Sequence, residues 1–471
     1  MKKFSSLFQA FQRVNTDTRL ITLVALAALT AIAASAQTTT GKPGVEIQGN
    51  FNGGYQANSW KGVSVKGIDQ NGAGTTAINI RGLEDLGGGM AAYFRVENDL
   101  SIMNNAFNTG VLPTYAVATT VASTSANTNV PYKTTTGAAS SWGNGELAVG
   151  ARTSFGDFAF GALNNAGLVY TQLTAAPTQG TSFGGGYGMV LGADPTMTAV
   201  RWANSFRYIT PTVNGFEASF IYAAKQDSAT VPANINSVAA TTTSLGVGLN
   251  NQVGAKELGL KYAQGPLKLA AVSTRTSYTG FCAVPSTTAT TGTANATGNT
   301  AAFNNNPCFK VGAFTAGTAT VGAATPDANQ DNKQNSFAGS YDLGGGWLVS
   351  GAMQKTTLGA LGSTSTSNVS DRSAQFLNVQ YVTGPHTVFA ATGNVKENAP
   401  STLNGKKSTF TGLGYNYALS KMTSLVARYE QFDDQANVLG QTATTAYTST
   451  QGTDSTNYKR VRSMFGINHN F

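Results

Sequence analysis

The chain has 471 residues and a formal net charge of +8, with only 11% charged and 41% hydrophobic residues and 54 glycines. No apolar run after residue 36 approaches the ~20 residues that a membrane helix needs, and the basic residues are scattered rather than clustered with aromatics, which argues against nucleic-acid binding. No linker or composition break divides the chain, so one large architecture is expected in place of two or three ordinary domains.

The first segment reads as an export signal. Lys2, Lys3, Arg13 and Arg19 precede an apolar run from Leu20 to Ala33 that is too short to span a bilayer, and Ala34-Ser35-Ala36 offers a small-residue cleavage site. Cleavage after Ala36 is expected, leaving residues 37–471 as one barrel domain. An exported chain bound for a membrane without a spanning helix satisfies its backbone polar groups by closing a β-barrel.

From there the sequence repeats one unit: a strand of about ten residues, a very short Gly, Asn, Asp or Pro turn, a second strand, then a long polar connection. The predicted strands are 44–56, 75–84, 90–98, 145–155, 158–165, 199–209, 216–225, 256–264, 267–276, 334–342, 347–356, 372–382, 386–396, 409–419, 422–432 and 458–471. Within them apolar and polar residues alternate. Ala92, Phe94 and Val96 oppose Tyr93, Arg95 and Glu97, and Leu425, Ala427 and Tyr429 oppose Val426, Arg428 and Glu430. The remaining connections, at 57–74, 99–144, 166–198, 226–255, 277–333, 357–371, 397–408 and 433–457, are long and rich in Thr, Ser, Asn, Ala and Gly. An all-β, 16-stranded antiparallel transmembrane barrel is therefore expected, with short periplasmic turns and long extracellular loops.

Cys282 and Cys308, the only cysteines, fall in one low-complexity stretch of an exported chain and are expected to form a disulfide. With no histidine near them they cannot complete a zinc shell, and no metal or cofactor is expected. The last strand places Val461, Phe465, Ile467 and the terminal Phe471 on one parity, facing the membrane.

Several segments carry a resemblance. IRGLEDLGGGMAAYFRVEN at 80–98 and RWANSFRYITPTVNGFEASFIYA at 201–223 are the most specific, with GELAVGARTSFGDFAFG at 145–161, NSFAGSYDLGGGW at 335–347, TGLGYNYALSKMTSLVARYEQF at 411–432 and the closing FGINHNF in the same order. They resemble the Gram-negative general porins, especially the betaproteobacterial outer-membrane branch, over nearly all the strands. The resemblance implies a homotrimer of barrels, each narrowed by an inward-folded third loop. It also implies recognition of a C-terminal segment such as Phe465, Ile467 and Phe471 by the barrel-assembly machinery. Contact with outer-membrane lipid and lipopolysaccharide is expected from the location.

A barrel of this kind needs a wet lumen and a constriction whose fixed charges bias passing ions. Parity puts Arg81, Arg95, Arg152, Arg201, Arg207 and Arg428 on the polar face, and guanidinium groups stay charged at any relevant pH. Weak anion preference is expected. In the family, basic residues at the positions of Arg81 and of Arg201 or Arg207 line the constriction, whereas the arginine that commonly follows the glycine of the fifth strand is replaced here by Ala162. The basic cluster is then smaller or shifted toward Arg152. Some arginines have an alternative role as scaffolding, paired with Glu84, Glu97, Glu217 or Glu430. The constriction loop is 166–198, with Phe183, Tyr187 and its one acid Asp194; its aromatics either line a solute path or pack the loop on the wall.

The two histidines, His386 and His469, lie beside no nucleophile motif, and neither a Gly-x-Ser-x-Gly elbow nor a Walker loop is present, so no enzyme is expected. Passive diffusion of small anionic or polar solutes is the leading reading. A solute-specific channel and a nonconducting surface or adhesin barrel are the alternatives.

Overall fold

The computed structural model describes residues 43–60, 63–70, 72–102, 106–107, 143, 145–177, 183, 201–224, 249–282, 330–358, 370–398, 404–436 and 459–471. They form a closed antiparallel β-barrel of 16 wall strands. The wall runs β1 (Gly44–Trp60), β2 (Ala77–Gly87), β3 (Met90–Ser101), β4 (Leu147–Thr153), β5 (Gly156–Asn164), β6 (Arg201–Ile209), β7 (Phe216–Ala223) and β8 (Leu249–Gln264). It continues with β9 (Leu267–Cys282), β10 (Gln330–Gly344), β11 (Trp347–Leu358), β12 (Ser370–Thr383), β13 (His386–Glu397), β14 (Lys407–Ala418), β15 (Thr423–Asp433) and β16 (Lys459–Asn470). Each strand pairs with the next, and Asn50–Trp60 of β1 pair with Asn470–Arg460 of β16 to close the ring. The expected architecture and all sixteen expected strands are present. Among the described residues no helix is long and apolar enough to cross a membrane.

Period-two alternation sorts the strands into an inward and an outward face, with a break in β6, where Trp202 and Ser205 are both buried beside the bulge at Gly161. Along β14 the burial alternates strictly, with Ser408, Phe410, Gly412 and Gly414 inward and Thr409, Thr411, Leu413 and Tyr415 outward. The outward face carries large apolar side chains in contact with the surroundings, among them Val149, Phe160, Leu377, Leu413 and Phe465. At the short-turn end it carries aromatic pairs: Phe158 with Tyr208, Phe216 with Tyr262 and Trp347 with Tyr381, at ring-centroid distances of 4.9, 4.7 and 4.5 Å. This is the girdle that anchors an outer-membrane barrel at a headgroup boundary.

Two of the short turns are built alike. Gly87, Gly88 and Gly89, and Gly344, Gly345 and Gly346, all have positive φ, a run that L side chains rarely follow. In each turn an aspartate two residues earlier, Asp85 or Asp342, accepts a 2.8 Å hydrogen bond from the first glycine's N–H at a β-bulge.

Three departures from the expected boundaries occur at the end opposite these turns. β8, β9 and β10 reach to Leu249, Cys282 and Gln330, well into segments expected to be loop. The stretch expected as a first loop at 57–74 holds another strand, Val63–Gln70, paired with the upper half of β1. Between it and β2 the chain leaves the wall. Asn52 Nδ2 donates to Gly74 O at 2.6 Å, Thr76 is fully buried, and Ala73 packs against inward side chains. The wall thus bulges into the lumen at 72–76. Residues 1–42, including the expected signal and its cleavage site, and Cys308 of the expected disulfide lie outside the described residues.

Candidate functional site

The connection from β5 to β6 enters the barrel. Its described part is a π-helical turn (Gly167–Gln172) running into a single α-turn (Leu173–Ala175), followed by Phe183. Two carboxylates fix its root: Glu146 accepts from Asn164 N–H at 3.1 Å, and Glu257 on β8 accepts from Ala166 N–H and from the Thr274 hydroxyl. The helical turn then crosses the inward faces of β8 to β11. Ser336 donates to Thr171 Oγ1 at 3.1 Å and Ser350 donates to Ala175 O at 2.6 Å. Gly259 leaves the room this requires, since a Cβ there would lie 2.9 Å from both Ala166 and Tyr170.

Tyr170 is buried, with its hydroxyl donating to Glu217 at 2.6 Å, and Lys261 completes the cluster 2.8 Å from the same carboxylate oxygen. Burial, reinforced by the Glu217 carboxylate, pushes the Tyr170 phenol up. Phe183 lands on the far wall against Val426 and Met464 and meets Ala73 of the inward bulge, with the Arg462 guanidinium 4.7 Å from its ring centre. Both aromatics therefore pack the connection on the wall. Tyr187 and Asp194 lie outside the described residues.

The six arginines expected in the lumen fall into three groups. Arg95 and Arg207 come together on Glu146, Arg207 at 2.8 Å from one oxygen and Arg95 on the other; Arg95 also lies 3.9 Å from Glu97. Arg81 sits directly across from Arg95 in the β2–β3 register and opposite Glu46 in the β1–β2 register, with no carboxylate within 4 Å among the described residues. Arg152 and Arg201 stand apart from this cluster. Arg152 is beside the short turn, 3.3 Å from Asp157 and over the Tyr93 ring, and Arg201 is at the other end of its strand, 3.7 Å from Asp99. Arg428 lies inward on β15, across the Phe389 ring at 5.0 Å, where Gly414 between the two strands leaves space for that ring.

Sequence reasoning passed over Arg460 and Arg462. Both are inward on β16 and converge on Glu430, at 2.9 and 2.7 Å. Their parity, opposite to Val461 and Phe465, was the available signal. Glu146 was passed over as well, although it shares parity with Ala148 and Arg152. Of the acids expected as scaffold, Glu97 and Glu430 engage arginines, Glu217 engages Lys261 and Tyr170, and Glu84 lies exposed at a turn. Phe465 and Ile467 face outward, and Phe471 exchanges backbone hydrogen bonds with Gly49, its ring filling the space that Gly49 leaves.

The arrangement is a set of paired fixed charges on the inward faces of the wall, crossed by an inward connection. Across the sequence, the profile of the Gram-negative porin family matches residues 22–304 and 282–437. The chain belongs to the Gram-negative porin family. This porin has the fold of solved relatives at low identity. An anion-selective porin from Comamonas acidovorans is 18% identical, with a TM-score of 0.56 over 91% of this chain and 100% of that one. The trimer form of OmpT from Vibrio cholerae is 15% identical, with a TM-score of 0.52 over 91% and 99%. OmpF of Salmonella typhi, in a complex with daunomycin, is 11% identical, with a TM-score of 0.50 over 91% and 97%. No curated protein matches the chain by sequence. The family and the barrel make this porin an outer-membrane channel.

Proposed function

We propose that this porin is a passive diffusion channel for small hydrophilic solutes with a weak preference for anions. One observation carries the preference: where the inward connection meets the far wall, Arg428, Arg460 and Arg462 lie on the same inward face, Arg460 and Arg462 both on Glu430. Arg81, across the lumen side of β2, adds a cation that no carboxylate pairs within 4 Å among the described residues. Arg95 and Arg207 share Glu146, and Glu97 stands 3.9 Å from Arg95, so this group adds little net charge and keeps the preference weak. The anion-selective relative from Comamonas acidovorans supports the sign.

The working form is a homotrimer, a reading supported by the trimer form of OmpT. Export through a leader removed after Ala36, folding by the barrel-assembly machinery through Phe465, Ile467 and Phe471, and contact with lipopolysaccharide complete the proposal. Planar-bilayer recording of the purified porin under a KCl gradient tests it. Single-channel steps with an anion-favouring reversal potential are expected. A cation-favouring potential overturns the arginine argument, saturable flux of one solute class indicates a specific channel, and absence of steps indicates a nonconducting surface barrel.

A further inference from the structure

The outward face of the barrel is uneven in charge. β1–β7 contain no lysine, and four of their five arginines turn to carboxylates: Arg95 and Arg207 to Glu146, Arg152 to Asp157 and Arg201 to Asp99. On β8 to β14, Lys261 and Arg372 likewise turn inward, to Glu217 and Glu397, but Lys256, Arg275, Lys355, Lys396 and Lys407 occupy outward positions, because their chain neighbours Glu257, Thr274, Gln354, Val395 and Ser408 are buried inward. Lys256, Arg275, Lys333, Lys396 and Lys407 are all exposed, and among the described residues none has a carboxylate within 4 Å.

Their register makes this a belt. Lys256 stands directly opposite Arg275, Arg275 directly opposite Lys333, and Lys396 directly opposite Lys407. Lys355 on β11 continues the band and is bonded to Asp371. Like charges placed directly across a strand pair destabilise a sheet. Here the arrangement recurs three times in one band, a repulsion that an external anion would offset.

Height identifies that anion. From Leu267 to Arg275 the wall climbs roughly 20 Å along the barrel axis, at ~3.4 Å per residue and a tilt of about 40°. Below the belt the outward residues are mainly apolar, among them Leu258, Leu260 and Tyr262 on β8. The belt therefore sits near the upper edge of an apolar band about 25 Å tall, and long basic side chains reach the headgroup level from there by snorkelling.

We propose that Lys256, Arg275 and Lys333, continued by Lys355, Lys396 and Lys407, bind the phosphate groups of a phosphorylated glycolipid in the leaflet nearest the long connections. The assignment rests on the outer-membrane reading and names the face by which the barrel holds its lipid. The test uses the full barrel, wild type and K256Q/R275Q/K333Q, titrated with lipopolysaccharide, with phosphatidylcholine and with inorganic phosphate, and read by native mass spectrometry and melting temperature. Lipopolysaccharide is expected to bind the triple variant on the order of a hundredfold more weakly than wild type. R275Q alone, read if the triple variant does not fold, should lose about fivefold. K268Q/K421Q, at the opposite end, should bind as wild type does.

Equal affinity of wild type and triple variant overturns the assignment, and so does an equal loss in the K268Q/K421Q control, which would reflect net charge alone. Competition by inorganic phosphate at concentrations comparable to the lipid overturns the lipid as the source of the anion. Conductance is recorded on the same preparations. A barrel that binds lipid through the belt but fails the selectivity test sinks the proposed function alone, and one that conducts anions without belt-dependent binding sinks this assignment alone.

Discussion

Substituting Glu146 by glutamine would leave Arg95 and Arg207 in place while removing the carboxylate they share, and glutamine's carbonyl still accepts from Asn164 N–H. E146Q is therefore expected to raise the anion-to-cation permeability ratio on the order of twofold, read from the reversal potential. An unchanged ratio would mean that those two arginines lie away from the ion path. Phe183 is the contact by which the inward connection reaches the far wall, and F183A would remove the ring from Arg462, Val426 and Met464. Larger and noisier single-channel conductance is expected, since a cation–π contact contributes about 0.5–2 kcal/mol and the packing adds to it. At this scale the inward side of Arg95, Arg207 and Arg428 was legible from parity, and the same signal was present for Arg460 and Arg462, which were passed over. Their partners were less so: parity tells which face a side chain takes, whereas the meeting of Arg95 with Arg207 on Glu146 depends on three strands brought together in space.

The paired triple-glycine turns offer an internal comparison between elements. Gly346 has φ +87 and a Cβ there would lie 2.0 Å from Val382 O, whereas Gly88 has φ +62 and open space around it. G88A meets only the left-handed backbone cost, about 1–2 kcal/mol. G346A adds a clash with backbone and is expected to be the more destabilising of the two in urea unfolding of the refolded barrel. Strand identities were legible because burial imposes alternation, and turn identities because glycine and aspartate mark them. The outer extensions of β8 to β10 and the strand Val63–Gln70 were not, because backbone pairing holds them in segments whose sequence reads as polar loop. The inward bulge at 72–76 is similar: its glycines read as a loop, and only the buried Asn52 and Thr76 reveal that it turns into the bore.

For the molecule as a whole, the two faces of the cylinder divide the tasks. Charge pairs, the inward connection and the bulge shape the bore, while the outward apolar band and its girdle hold the barrel at a fixed depth. Phe471 ties the last residue of the chain to Gly49, with hydrogen bonds of 3.0 and 3.1 Å and its ring 5.2 Å from that of Phe51. F471A is expected to lower the yield of folded, heat-modifiable barrel in detergent refolding while leaving the conductance of the folded fraction unchanged. The β1–β16 seam has a kinetic meaning as well. The hydrogen-bonded side chains across it, Asn50 with Asn468 and Asn470, are 418 and 420 residues apart in sequence. Contacts of such separation form late and slowly. Until they do, the sheet keeps two open edges able to pair with other chains. The competition between closure and aggregation is therefore decided at this one seam, and it is the last place where the chain becomes a barrel.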